Sequence, residues 1–208
     1  MANLKHAIKQ GIVALKAKNI QPVMQTVGDE SLLKGKTALV VGGSGGIGKA
    51  VAKAFLKNGA NVVIAGTRRA KVDKVVLELG GNCAGVVVDL AEPDTFSKVI
   101  DEAVAFYGPI NILVNSAGVH TEDVSMGGFL DFSVEEYDRI LDINLRGVYF
   151  MVQSVAKRMI SDKVSNGHIL IVSSSAGNEP AWSPYRVSKW GLKGITEGMA
   201  SAWFLMAL

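Results

Sequence analysis

Between residues 41 and 49 the chain reads Val-Gly-Gly-Ser-Gly-Gly-Ile-Gly-Lys, with five glycines in nine residues. This run sits after an apolar stretch at 37–41 and before an amphipathic stretch at 47–57. A strand that must turn at once into a helix needs glycine. The turn is sharp, and the backbone has to come close to whatever binds there. The amides opening such a helix face outward and favour an anion, above all a pyrophosphate. The loop therefore marks nucleotide binding, with Gly42, Gly43, Ser44, Gly46, Ile47 and Gly48 as the candidate contacts. A phosphate loop of the ATPase kind would need Ser or Thr after Lys49 to hold magnesium, and Ala50 stands there instead.

The rest of the chain repeats the same alternation. Short apolar runs at 61–65, 84–88, 110–114 and 168–172 read as strands. Longer amphipathic stretches at 71–79, 93–106, 134–160 and 183–205 read as helices. Nearly continuous apolar strands are expected when helices cover both sheet faces. Right-handed strand–helix–strand units then give an α/β fold, a Rossmann-type doubly wound parallel sheet in three αβα layers. With 49% apolar and 20% charged residues the chain has a globular composition, and a net charge of +3 gives no reason to expect nucleic acid. No stretch has the apolar length of a membrane span, and nothing resembles a secretion signal, so a cytoplasmic location is expected. The lone cysteine, Cys83, lies at a strand start and reads as core. His6, His120 and His168 show no ligand spacing, so no metal is expected.

Residues 1–35 read as a separate extension and linker, and 36–208 as the nucleotide-binding and catalytic domain. Leu4, Ile8, Ile12 and Leu15 have helical spacing among Lys5, Lys9, Lys16 and Lys18. That pattern suits a helix packed on the domain or a partner subunit, with a basic membrane-surface or targeting helix as the alternative.

Two further features bear on chemistry. The second strand runs into Thr67, Arg68 and Arg69, where an NAD site usually carries an acid for the ribose hydroxyls. Arg68, with Thr67 and Arg69, suits a 2′-phosphate, so NADP is preferred over NAD. The last helix opens with Tyr185 and Lys189, four apart and on one face. A phenol is a poor base near neutral pH, and an ammonium beside it favours the phenolate. Just upstream, an apolar strand ends in Ser173, Ser174 and Ser175, at the sheet edge where open α/β folds bind ligands.

Together these segments resemble the short-chain dehydrogenase/reductase family, from about Lys36 to the C-terminus. The glycine loop is similar to its Thr-Gly-x-x-x-Gly-x-Gly motif, with Val41 in place of Thr. Asp89-Leu90 resembles the adenine-contacting acid, Asn115-Ser116-Ala117-Gly118 the Asn-Asn-Ala-Gly motif, and Asn144 the asparagine of the proton relay. The resemblance implies an oxidoreductase passing a hydride between NADP(H) and a carbonyl or secondary alcohol, near the 3-oxoacyl-carrier-protein or sugar reductases. It also implies that Tyr185 moves the proton, Lys189 supports it and binds the nicotinamide ribose, Ser174 holds the substrate oxygen, and Asn144 links Lys189 to solvent through water. Asp89, Leu90, Asn115, Ala117 and Gly118 then join Tyr185 and Lys189 around the cofactor. Related enzymes assemble through helices like 134–160 and 183–205, which implies a homodimer or homotetramer.

Two departures stand against the resemblance. Tyr185 follows Ser174 by eleven positions, a slightly short spacing across a loop holding Pro180 and Pro184, so Ser173 is the fallback. Family members also continue into a further strand, a lid and a last strand, so the domain is expected to be C-terminally shortened. Its apolar tail from Trp203 is expected to pack over the open sheet edge or in a subunit contact. The alternative function is a non-catalytic nucleotide-binding or scaffolding module. The loop from His120 to Phe132, with Gly127, Gly128 and Phe129, is expected to border the substrate.

Overall fold

A computed structural model describes residues 32–120 and 129–206. The N-terminal segment through residue 31, including its expected helix, lies outside the described residues, as do Gly127 and Gly128. The elements follow the expected alternation: β1 (Thr37–Val41), α1 (Gly46–Lys57), β2 (Asn61–Gly66), α2 (Arg69–Leu79), β3 (Cys83–Val87), α3 (Phe96–Tyr107), β4 (Ile112–Asn115), α4 (Val134–Leu141), α5 (Val148–Ser161), β5 (His168–Ile171) and α6 (Pro184–Met206). The five strands form one parallel sheet in the order β3-β2-β1-β4-β5. This is the Rossmann-type doubly wound arrangement. The order reverses between β1 and β4, so a crevice opens at the C-terminal ends of those two strands.

Alternation within each strand sends side chains to two cores. Leu39, Val41, Val63, Val86 and Leu113 pack with Phe96, Ile100, Met151, Val155 and Leu192 from α3, α5 and α6. Ala38, Val40, Val62, Ile64 and Val114 pack with Ala52, Val72 and Val75 from α1 and α2. Cys83 belongs to this second core, and burial pushes its thiol up to about 11.

Two expectations are corrected. Residues 134–160 do not form one helix. A π-helical stretch, Asp142–Gly147, separates α4 from α5. A wider turn places one extra residue per round and often carries a functional side chain. Here Gly147 permits close approach to Leu90, whose carbonyl a Cβ at that position would strike. The expectation of strands covered on both faces holds for β1 to β4, but not for β5. Ile169 and Ile171 meet the first core, whereas Leu170 is 49% exposed. The cause is position: β5 lies at the sheet edge, and the layer of α1 and α2 packs over β1 and β2.

The expected apolar tail is the last turn of α6. Trp203 is half-buried and shares a cavity with Ile169 and Ile171, beside β5. Side chains from Phe204 onward lie outside the described residues.

Candidate active site

The turn after β1 is built on glycine for two different reasons. Gly42 has φ +81°, and a Cβ there would lie 2.6 Å from the backbone N of Ala117. At Gly43 a Cβ would meet the Ile64 side chain at 2.7 Å. Gly42 thus lets the turn pass close to the chain leaving β4, and Gly43 lets it pack against β2. Gly46 differs, since nothing lies within 4 Å of a Cβ built on it. It opens α1 beside Gly45, whose position offers no side-chain cap, so the first-turn amides remain available to an anion.

This turn forms one wall of a cavity of about 450 Å³. Of the expected cofactor contacts, Gly42, Ser44, Thr67, Arg68, Asp89, Leu90, Ala117 and Gly118 line it. Gly43, Gly46, Ile47, Gly48 and Asn115 are not among the lining residues, nor are Tyr185 and Lys189. Asn115 is buried, its Oδ1 accepting from Ala117 N at 3.2 Å, and its Nδ2 has no acceptor among the described residues. Gly45, Gly66, Lys71, Val88, Ser116, Val119 and Ile143 also line the cavity and were not anticipated. Lys71 was readable, because it follows Arg68 by three positions at a helix start. Arg69, by contrast, turns to Asp73 in an i,i+4 ion pair.

The residues fit a dinucleotide. The cavity is walled by the turn leading into α1, by Arg68 and Lys71 after β2, by Asp89 after β3 and by Gly118 after β4. A Cβ on Gly118 would lie 3.1 Å from Asn144 Oδ1 and 3.6 Å from Lys189 Nζ. That glycine is where the cavity meets the polar cluster of α6.

In this cluster Lys189 is 5% exposed, and its Nζ lies 5.4 Å from the centroid of the Tyr185 ring. The ammonium donates to Val172 O at 3.5 Å, and burial pushes its pKa below the ordinary lysine value. Tyr185 and Ser174 line a second cavity, of about 250 Å³, together with His120, Trp182 and Arg186. The two serines diverge. Ser174 Oγ accepts from Ala176 N at 3.2 Å, capping a short 3-10 turn at Ser175–Asn178. Ser173 Oγ instead donates to the Lys189 carbonyl at 3.4 Å. Of the two, only Ser174 borders the cavity of Tyr185.

Asn144 sits in the π-helical stretch and is wholly buried. Its side chain accepts from Val119 N and donates to Val119 O, both at 2.7 Å. It also donates to Ser188 Oγ at 3.3 Å, and that hydroxyl donates to Tyr185 O at 2.6 Å. Ser188, lying between Tyr185 and Lys189, is a polar link that no sequence motif singles out. The loop before α6 is held by Trp190 Nε1 donating to Glu179 O at 2.6 Å, and by Arg186 paired with Glu179 and set over the Trp182 ring. Phe129, expected beside the substrate, is exposed. Among the described residues no three His, Cys, Asp or Glu side chains cluster to hold a metal, and no helix is long and apolar enough to cross a membrane.

Comparison with known proteins agrees with this geometry. The family model for short chain dehydrogenases matches residues 36–204. The chain is 36% identical over 174 residues to oxidoreductase UcpA of Salmonella typhimurium, covering 81% of this chain and 64% of that protein. It is 34% identical over 173 residues to human dehydrogenase/reductase SDR family member 4, covering 81% of this chain and 60% of that one. It is equally 34% identical over 173 residues to the 3-oxoacyl-(acyl-carrier-protein) reductase FabG of Thermotoga maritima, covering 81% and 68%. The chain thus spans less than two thirds of the length of the first two of these relatives.

Proposed function

The chain belongs to the short-chain dehydrogenase/reductase family, and from that premise we propose that it is an oxidoreductase passing a hydride between NADP(H) and a carbonyl or secondary alcohol. The observation that carries the proposal is the cluster on α6. A buried ammonium stands 5.4 Å from the Tyr185 ring, and that phenol shares a cavity with the Ser174 hydroxyl.

A nicotinamide cofactor held in the larger cavity would supply or accept the hydride. Everything else falls to the chain's own residues. Tyr185 donates the proton when a carbonyl is reduced and accepts it when an alcohol is oxidised. Lys189 holds positive charge beside that phenol and stabilises its deprotonated form. Ser174 binds the substrate oxygen. Asn144 fixes the main chain at Val119, on the wall shared with the larger cavity. The amides of α1, Ser44 and the turn around Gly42 would hold the pyrophosphate, and Asp89 and Leu90 would border the adenine.

Preference for NADP rests on Arg68 and Lys71, which line the cavity after β2, where no carboxylate accompanies them. A 2′-phosphate on these cations gains charge-assisted hydrogen bonds that NAD cannot make. Removing the guanidinium in Arg68→Ala should weaken NADPH binding about 10- to 100-fold, the range of one or two such bonds. NADH binding should change by less than about threefold. Fluorescence titration of both cofactors on both proteins checks this, and an equal loss for both would remove the case for NADP.

The activity itself is tested by NADPH oxidation against a panel of ketones and 3-oxoacyl thioesters. Cofactor binding with no turnover on any of them would favour the binding-module alternative. The proposal includes assembly as a homodimer or homotetramer through α4 to α6, in keeping with exposed Val134, Tyr149, Phe150 and Trp190 on those helices. Light scattering should give two or four chain masses, and a monomer at micromolar concentration would refute it.

A further inference from the structure

Among the side chains bordering the Tyr185 cavity, His120 meets the phenol ring itself. The two ring centroids are 4.0 Å apart with the planes tilted by 35°. His120 stands at the end of the segment that leaves β4, and its main chain is fixed from two sides. Asn144 grips Val119, the preceding residue, through both its N–H and its carbonyl at 2.7 Å. Arg139 Nη2 reaches the His120 carbonyl at 3.5 Å. The wholly buried Asn144 therefore reaches Tyr185 by a route of protein contacts: amide to Val119, along one residue of chain, and ring to ring.

We propose that His120 is a positioning residue for Tyr185. Its ring face restrains the phenol within the cavity shared with Ser174, and Asn144 acts on the phenol through Val119 and His120. The physical basis is the cost of misplacement. Proton transfer needs donor and acceptor within hydrogen-bond reach, and an error of about 1 Å can cost two orders of magnitude in rate. A phenol attached through two torsions is restrained at its hydroxyl by any flat group pressed on its ring. The requirement is for a ring at 120, with imidazole one way of meeting it. The inference rests on reading Tyr185 as the proton-transfer group.

The test compares His120→Ala and His120→Phe with the parent protein. His120→Ala should lower kcat about 10-fold, with KM for NADPH within about twofold. His120→Phe should recover most of that loss, which a polar or proton-carrying role of the imidazole would not predict. A kcat for His120→Ala within about twofold of the parent overturns the proposal, and so does a His120→Phe protein as slow as His120→Ala. The second readout needs no turnover. In protein carrying isotope-labelled tyrosine, the Tyr185 ring resonance is identified by its loss in Tyr185→Phe. Aromatic contact predicts a displaced resonance that moves in His120→Ala. If the parent reduces no substrate, the oxidoreductase reading fails, while a moving resonance still supports the positioning contact. A resonance unchanged in His120→Ala overturns that contact whatever the activity.

Discussion

Tyr185→Phe should reduce turnover by about a thousandfold or more if Tyr185 is the proton-transfer group proposed above, because it deletes the phenol oxygen and little else. Positioned acid–base groups contribute about 10²- to 10⁴-fold, and here the substrate oxygen has no second titratable donor from Ser174. The ring contact with His120 survives, as does Lys189 in its buried place. Cofactor affinity should therefore stay within about threefold and the melting temperature within about 2 °C, which separates a chemical loss from a folding loss. Steady-state kinetics with NADPH, a cofactor titration and a thermal melt make up the measurement. If Tyr185→Phe kept more than a tenth of parental kcat/KM, the proton would have to travel through another group.

Much of this arrangement was legible because it is local. Apolar runs bounded by glycine fixed β1 to β4 within a residue or two, since a strand buried on both faces needs an unbroken apolar stretch. Spacing alone puts Tyr185 and Lys189 on one face of one helix, and the serine-ended strand upstream makes that face a candidate site. What escaped notice depends on partners far away in sequence. The π-helical stretch breaks no periodicity. It exists where Gly147 meets Leu90 and Asn144 meets Val119, contacts between elements dozens of residues apart. Val88 and Ile143 line the cofactor cavity because strand ends and that stretch converge, which no short pattern encodes. The partial exposure of β5 follows from its being at the edge, a property of strand order. The sequence places His120 in a loop beside the substrate but does not show its contact with Tyr185, a ring 65 positions later.

Lys189→Met should cost activity and add stability, a pairing that follows from where the ammonium is buried. At 5.4 Å from the phenol ring, a unit charge in an effective dielectric of about 20 is worth about 3 kcal/mol to a developing phenolate. Losing it lowers kcat about 100-fold. Methionine keeps most of the length and apolar stem, so the packing around Leu192 and Gly177 is disturbed little. The fold, however, no longer carries a desolvated charge. Burial depresses the folded pKa of Lys189 below that of the unfolded chain, about 10.4. Below the folded value both states hold the proton, and the folded state bears the full penalty. Between the two values only the unfolded state holds it, so parental stability rises with pH through that window. Above about 10.4 neither state is charged and the penalty is gone. At pH 7 the Lys189→Met protein should thus melt higher by about 2–4 °C, the effect of on the order of 1 kcal/mol in a chain of this size. It should also lack the alkaline rise in stability that the parent shows. The opposing contribution is the hydrogen bond from Lys189 Nζ to Val172 O, long at 3.5 Å and correspondingly weak. A Lys189→Met protein that melted lower than the parent at pH 7, with the parent flat in alkali, would mean that this bond outweighs desolvation. The ammonium would then be part of what holds the fold together rather than a charge the fold tolerates for its chemistry.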